Sequence, residues 1–340
     1  MRAVTSSARP SSRLPPDAAA RLFFRPLPST CQRSMPRHLL VAEDLTAQEI
    51  EAVFAVTRDL HTKFDEGIRE PLMPGRVLAL VFEKPSLRTR VSFQTAMVHL
   101  GGSSLFLGAD TGFASSRESV DDFGKVLSQY VDGIVCRTKS HDTLEALAAA
   151  SSVPVINGLS DASHPCQALA DIYTLKQHVG RVQGLTLTFV GDGNNVARSL
   201  AMVSALLGMR FVLAGPEGYH FSSAFLEHIG RAVPGAEIHQ TTDPREAVAD
   251  ASVVYTDVWA SMGQEQERAE RAKAFAAYQV NEDLMALAPE AIFMHCLPAH
   301  RGEEVTSGVI DGPQSVVIQE AANRLHVQKG LIAWLLGHAN

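Results

Sequence analysis

From residue 38 onwards, short uninterrupted apolar runs alternate with longer stretches in which apolar residues recur at helical spacing. Thr46, followed by Glu49 and a helical apolar pattern, predicts the capped start of a first helix. Uninterrupted apolar strands separated by helices are typical of parallel sheets covered on both faces. Eight runs predict such buried strands, at 76–82, 133–136, 153–156, 185–190, 211–214, 253–255, 292–294 and 316–318.

Eight buried strands exceed what one hydrophobic core usually contains. We therefore predict an α/β protein with two domains, each a mostly parallel sheet flanked by helices. We place the first domain at residues 36–178 and the second at 179–322, with a helix over 165–180 as the seam. A last helical segment, 323–340, is expected to pack back on the first domain.

Residues 1–35 form an N-terminal extension of different composition. Seven arginines and a single acid, Asp17, lie among serines and prolines before residue 38. An organelle transit peptide has this composition, but prolines interrupt the amphipathic helix that such a signal needs. The alternatives are a disordered tail and an upstream start codon, with Met35 opening the functional chain. We expect a cytoplasmic protein, with an organelle matrix as the alternative.

Composition and charge exclude several classes of protein. The 340 residues are 46% hydrophobic and carry a net charge of −7, and no apolar run approaches the roughly 18 residues of a membrane span. Because nucleic-acid-binding proteins usually carry a basic surplus, we expect neither nucleic acid nor membrane as a partner. The four cysteines, Cys31, Cys136, Cys166 and Cys296, are widely spaced, which favours a reducing compartment.

The end of the first strand carries the most distinctive polar segment, Ser86 to Arg90, which leads into a helix. Ser86 is expected to cap that helix, leaving first-turn amides beside Arg88 and the Thr89 hydroxyl. This arrangement predicts a site for an oxyanion or phosphate. A cap followed by solvated arginines is the plainer alternative.

Two further strand ends add hydrogen-bonding groups. Arg137 follows one strand, and His164 precedes Pro165 at the start of a helix whose one face carries His164, Gln167 and Asp171. The helix dipole is expected to keep His164 neutral, as a hydrogen-bond donor to a carbonyl. Cys166, off that face, is expected to pack.

The second half supplies two loops and a weak nucleotide signal. Val196 stands where the third glycine of a dinucleotide-binding turn is required, which disfavours NAD. The loop from Asp257 through Ser261 combines an acid, a hydroxyl and backbone amides, which suits an amino acid. His295 and Cys296 adjoin, but neighbouring residues rarely point at one metal, so zinc is a minor option.

Four segments in this order resemble the aspartate/ornithine carbamoyltransferase family: residues 86–90, 164–167, 257–263 and 295–298. The resemblance extends from about residue 36 to the C-terminus, and the last two segments resemble the ornithine branch of the family. It implies carbamoyl transfer from carbamoyl phosphate to the δ-amine of L-ornithine in arginine metabolism, with no metal and no cofactor. It also implies homotrimers, or multiples of trimers.

The resemblance further implies which residues form the site. Arg137, His164, Asp257 and Cys296 would be catalytic. The residues expected to bind carbamoyl phosphate are Ser86, Leu87, Arg88, Thr89, Arg137, His164, Gln167, Cys296, Leu297 and Arg324. Those expected to bind ornithine are Asn195, Asp257, Ser261 and Met262.

Two positions depart from the family pattern. Leu87 replaces a threonine, which removes a hydroxyl and keeps the amide, and Phe113 stands where many relatives have a Gln or His that reaches a neighbouring subunit. The alternatives are a carbamoyltransferase for another amine or amino acid, an NAD-dependent dehydrogenase, and a non-catalytic paralogue. The last should have lost Arg88, Arg137 or His164, and all three are present.

Overall fold

The computed structural model describes residues 36–109, 113, 118–260 and 267–337. The N-terminal extension 1–35 and the predicted ligands Ser261 and Met262 lie outside the described residues. Among the described helices, none combines the length and the apolar character that a membrane crossing needs.

Two parallel sheets form the frame, as the apolar runs predict. The first comprises β1 (Val77–Phe82), β2 (Ser103–Leu107), β3 (Gly133–Arg137) and β4 (Val155–Leu159), in the order β2-β1-β3-β4. The second comprises β5 (Thr186–Val190), β6 (Arg210–Ala214), β7 (Ile238–Thr241), β8 (Val253–Thr256) and β9 (Ile292–His295), in the order β7-β6-β5-β8-β9. The predicted α/β class with two parallel sheets is confirmed.

Helices connect successive strands and cover the sheets. They are α1 (Ala47–Asp65), α2 (Leu87–His99), α3 (Val120–Leu127), α4 (His141–Ala150), α5 (Pro165–Val179), α6 (Asn195–Leu206), α7 (Ser223–Ala232), α8 (Pro244–Val248), α9 (Arg268–Phe275), α10 (Glu282–Met285), α11 (Ser307–Ile310) and α12 (Val317–Gly337). The predicted start of α1 is confirmed, because Thr46 Oγ1 accepts from the Glu49 amide and the Glu49 carboxylate accepts from the Thr46 amide.

Helices α5 and α12 are largely buried. Every residue of α5 from Pro165 to Leu175 is buried. Helix α12 packs against α1, α2 and α5. Its Asn323 side chain donates to Thr174 Oγ1 at 2.8 Å, and Lys329 Nζ donates to the Leu60 carbonyl at 3.0 Å. These contacts join the last helix to the elements around the first sheet.

The predicted strand at 316–318 is wrong. Val317 opens α12, and the Ile318 side chain is 79% exposed. Of these three residues, Val316 alone hydrogen-bonds to a strand of the sheet, since its amide donates to the Phe293 carbonyl at 3.0 Å. Three consecutive β-branched residues suggested a strand, but helical packing against the rest of the chain overrides that preference.

Two strands were missed, and both lie at sheet edges. β2 and β7 expose part of their side chains and contain polar residues such as Ser103 and His239. An edge strand is not enclosed on all sides, so it needs no continuous apolar run.

Candidate active site

A cleft of about 650 Å³ lies where the carboxyl ends of the two sheets face each other. Ligands of open parallel sheets bind at such ends. Eleven predicted site residues line it: Ser86, Leu87, Arg88, Arg137, His164, Gln167, Asn195, Asp257, Cys296, Leu297 and Arg324. Thr89 lies directly behind this lining, where its Oγ1 accepts from Arg324 Nη2 at 3.0 Å.

The α2 N-terminus differs from the prediction in one respect. Ser86 occupies the capping position, but its hydroxyl bonds Thr89 Oγ1 at 3.0 Å and caps no backbone amide. The Leu87 side chain is 77% exposed and apolar, so only the backbone of this residue can donate a hydrogen bond to an anion. Arg88 lines the cleft, whereas Arg90 points away and stacks on the Phe106 ring at 3.7 Å. The first-turn amides of α2 therefore stay open towards the cleft.

Three guanidinium groups, from Arg88, Arg137 and Arg324, converge on one side of the cleft. Arg137 ends β3 at a register shift between Cys136 and Arg137. The Nε atoms of Arg137 and Arg324 are buried without a hydrogen-bond partner. Burial, together with the charges of Arg324 and Arg88, lowers the pKa of Arg137 to about 10. Burial also lowers the pKa of Arg324. A dianion would relieve the mutual repulsion of these cations.

His164 and Gln167 present one neutral ring and one amide beside the guanidiniums. His164 Nδ1 and Gln167 Oε1 are buried without partners. Burial, and then the charges of Arg324 and Arg137, lower the pKa of His164 far below its usual value. Burial, and not the helix dipole predicted from the sequence, is the leading cause of the neutral state of His164. Gln167 lines the cleft and its Nε2 donates to Asp171 Oδ1 at 2.8 Å, which leaves Oε1 as its acceptor without a partner.

The opposite side of the cleft is built from α6, β8 and β9. Asn194 caps α6 by accepting from the Val196 and Ala197 amides at 2.9 and 3.0 Å. Its Nδ2 donates to Asp257 Oδ2 at 3.1 Å. This cap already uses the first-turn amides that a dinucleotide pyrophosphate would need.

Asp257 and Cys296 form a direct hydrogen-bonded pair. Cys296 Sγ donates to Asp257 Oδ1 at 3.1 Å. Burial and the Asp257 charge raise the pKa of the Cys296 thiol well above its usual value, so the thiol stays protonated. Asn195 Nδ2 donates to the Ser160 carbonyl at 2.6 Å, which links this side of the cleft to the end of β4.

A buried Glu304–His295 pair supports the loop that follows β9. His295 Nε2 lies 3.1 Å from Glu304 Oε1, and His295 Nδ1 accepts from the Leu297 amide at 2.9 Å. The ring therefore carries its proton on Nε2. Leu297 adopts a positive φ of 56°, which the imidazole stabilises.

The potential metal-ligating atoms of Asp257, His295 and Cys296 lie within 4.8 Å of one another. The adjacent His295 and Cys296 were expected to point in different directions, so this proximity differs from the prediction. Both ring nitrogens of His295 are engaged by Glu304 and the Leu297 amide. Among these three residues, the histidine could bind a cation only after losing one of those bonds.

Sequence reasoning missed several supporting residues. The Arg271 side chain bonds the Asp192 carboxylate and the Trp259 carbonyl beneath the cleft. Glu320 lies behind Gln167, and no sequence motif predicted a role for it. Its position four residues before Arg324, on the same helix face, was the available signal.

Family models cover almost the whole described chain. Residues 37–177 match the carbamoyl-P binding domain of aspartate/ornithine carbamoyltransferase, and residues 183–335 match the Asp/Orn binding domain. The chain is 49% identical over 304 residues to ornithine carbamoyltransferase of Carboxydothermus hydrogenoformans, covering 88% of this chain and 98% of that protein. The corresponding protein of Pyrococcus abyssi is 50% identical, with coverage of 88% and 96%.

The solved structures agree with these matches. Ornithine carbamoyltransferase from Pyrococcus furiosus superimposes with a TM-score of 0.86 at 48% identity, covering 88% of this chain and 97% of the other. A mitochondrial ornithine carbamoyltransferase from Coccidioides immitis gives a TM-score of 0.83 at 34% identity, covering 90% and 99%.

Proposed function

The chain belongs to the aspartate/ornithine carbamoyltransferase family, and from this premise we propose that it transfers the carbamoyl group of carbamoyl phosphate to the δ-amine of L-ornithine. The products are L-citrulline and phosphate. The observation that carries the proposal is the arrangement of three guanidiniums and a neutral imidazole facing an Asp257–Cys296 pair across one cleft.

In this proposal the first-sheet side of the cleft binds carbamoyl phosphate. Arg88, Thr89 and the open amides of Ser86 and Leu87 hold the phosphate, and Arg324 reaches the same ligand from α12. Arg137 and His164 donate to the carbonyl oxygen, where negative charge develops during attack. Gln167 Oε1 accepts from the carbamoyl NH2 group, and Leu297 and Cys296 close the site.

The second-sheet side binds ornithine. Asp257 and Asn195 hold the α-amino and carboxylate ends together with Ser261 and Met262, which lie outside the described residues. Support comes from the Asp257 carboxylate at the cleft and from the thiol of Cys296, which is a neutral neighbour for an uncharged δ-amine.

The chemistry needs positioning and charge stabilisation. The unprotonated δ-nitrogen attacks the carbonyl carbon, a C–N bond forms, and the electron pair of the breaking C–O bond leaves with phosphate. The surplus proton on nitrogen passes to the departing phosphate. Each well-placed donor to the developing oxyanion is worth on the order of 10²–10³ in rate.

The domain, assembly and location assignments belong to the same proposal. We assign 36–178, with 323–340, to carbamoyl phosphate and 179–322 to ornithine, in a cytoplasmic homotrimer or multiple of trimers. A relative in Pyrococcus furiosus, 48% identical over 304 residues, is named the anabolic ornithine carbamoyltransferase, which supports a biosynthetic direction. Light scattering of the purified chain tests the trimer.

A citrulline assay on the purified full chain tests the activity. With carbamoyl phosphate present, L-ornithine should be the preferred acceptor over L-lysine, putrescine and L-aspartate. Preference for another amine would favour the alternative carbamoyltransferase. Tight NADH binding without any carbamoyl transfer would instead support the dehydrogenase reading.

A further inference from the structure

Two buried carboxyl groups lie directly behind Gln167. Asp171 on α5 and Glu320 on α12 are 1% and 0% exposed, and both carboxyl groups lie within hydrogen-bond distance of the Tyr255 hydroxyl. The hydroxyl has one proton and cannot donate to both, and two carboxylates this close in a buried site repel unless they share a proton. Neither residue lines the cleft.

The surrounding donors account for the remaining oxygens. Tyr255 Oη lies 3.1 Å from Asp171 Oδ2 and 3.2 Å from Glu320 Oε1, and the His295 amide donates to Glu320 Oε2 at 2.9 Å. Gln167 Nε2 donates to Asp171 Oδ1 at 2.8 Å. Two strands of the second sheet and two helices thus meet at one carboxyl pair.

The charge state of the pair follows from its burial. Burial raises the pKa of both carboxyls, and the charge on Asp171 raises the pKa of Glu320 further. The pair therefore holds one proton and one negative charge. The Arg324 guanidinium, one helical turn from Glu320, is the cation that partly offsets it.

We propose that Asp171 and Glu320 are a positioning pair that shares one proton and fixes the orientation of the Gln167 amide. A flipped amide would point Oε1 at the Asp171 carboxylate, and two acceptors would repel. The pair thus forces Oε1 towards the cleft, where it selects a donor substrate that bears N–H groups. This role rests on the proposed function, because it concerns the NH2 group of carbamoyl phosphate.

Acetyl phosphate is the probe, since it replaces the carbamoyl NH2 by a methyl group. The measurements are the KM for carbamoyl phosphate and the inhibition constant of acetyl phosphate, competing against it, in wild type, Asp171→Leu and Asp171→Asn. In Asp171→Leu the KM should rise about tenfold, the value of one hydrogen bond, while acetyl phosphate inhibition changes less than about twofold. Asp171→Asn should keep both constants within about threefold, since its Oδ1 accepts from Gln167 and its N–H replaces the shared proton.

The positioning role would be overturned if, in Asp171→Leu, the KM for carbamoyl phosphate and the inhibition constant of acetyl phosphate rose by the same factor, or if neither changed. If Asp171→Leu does not fold, the smaller Asp171→Ala, which also removes the acceptor for Gln167 Nε2, gives the same comparison against Asp171→Asn with the same expected outcomes. Wild-type turnover separates the two hypotheses. A wild type that forms no citrulline contradicts the proposed function, whereas an active wild type with an unaltered ligand ratio in the variants contradicts only the pair.

Discussion

At the scale of single residues, the cleft is dominated by charge that the fold leaves unbalanced. Arg137 is buried, its Nε has no hydrogen-bond partner, and Arg88 and Arg324 are the neighbouring charges that lower its pKa. Buried cations arranged in this way favour the binding of an anion but destabilise the folded protein when no anion is bound. Binding and stability should therefore respond to substitution in opposite directions.

Arg137→Gln should lower kcat/KM for citrulline formation on the order of 10²–10³, because a donor to the developing oxyanion is lost. The melting temperature should stay equal or rise, since a buried cation beside two others disappears. Parallel assays and thermal melts check both. Arg90→Gln, which alters an exposed arginine of the same motif, is the control and should leave kcat/KM within about twofold. A destabilised but active Arg137→Gln would contradict the argument.

At the scale of elements, the crossing of α12 over α1 depends on the absence of a side chain. A Cβ added to Gly330 would lie 2.1 Å from Thr57 Oγ1 and 2.9 Å from the Thr57 backbone. Thr57 cannot turn away cheaply, because its hydroxyl donates to the Val53 carbonyl at 2.8 Å and the residue is fully buried. The two helices are therefore in contact at backbone distance.

Gly330→Ala should reduce the free energy of unfolding by about 2–3 kcal/mol, because overpacking outweighs the gain in helix propensity. Gly337→Ala on the same helix is the matched control, since an added Cβ there meets nothing within 4 Å. It should be neutral or slightly stabilising. Urea unfolding of both variants tests this, and equal stability of the two would show that α12 can shift away from α1.

At the scale of the whole molecule, a group of basic side chains is enclosed where α1, α2 and α12 meet. His326 stacks on His61 at 3.5 Å between ring centroids, and Lys329 and His99 lie nearby. Burial, and then the charges of these neighbours, lower the pKa of His326 to about 3. Burial also lowers the pKa of His61, of His99 and, to about 8, of Lys329.

Because the folded state disfavours protonated His326, its contribution to stability is present above the unfolded pKa of about 6.5 and is lost as pH falls towards 3. Between pH 7.5 and 5.0 the expected loss from this residue is about 2 kcal/mol. His326→Phe keeps an aromatic ring in the stack and should reduce the loss by that amount, as measured by urea unfolding at both pH values. His239→Phe, which replaces an exposed histidine far from this group, is the matched control.

The apolar runs were enough to predict seven of the nine strands and the class of the fold, because a strand enclosed on both faces needs an unbroken apolar sequence. The edge strands β2 and β7 and the helical start at Val317 escaped prediction, because at these places packing partners outweigh local preference. Asn195, Leu297 and Arg324 were predicted only from the family resemblance, but Arg88, Arg137 and Asp257 were predictable for a related reason. Polar residues at the carboxyl ends of buried strands have few roles other than binding.

Contacts between distant segments could not be predicted in this way. Thr89 and Arg324 are 235 residues apart in the chain and are hydrogen-bonded, and Asp171 and Glu320 are 149 residues apart and contact the same Tyr255 hydroxyl. Residues that are close in the sequence determine where strands, helices and motifs lie. The protonation of a carboxyl pair and the tautomer of His295 depend instead on distances in space and on exclusion of water, which exist only once the two sheets have packed.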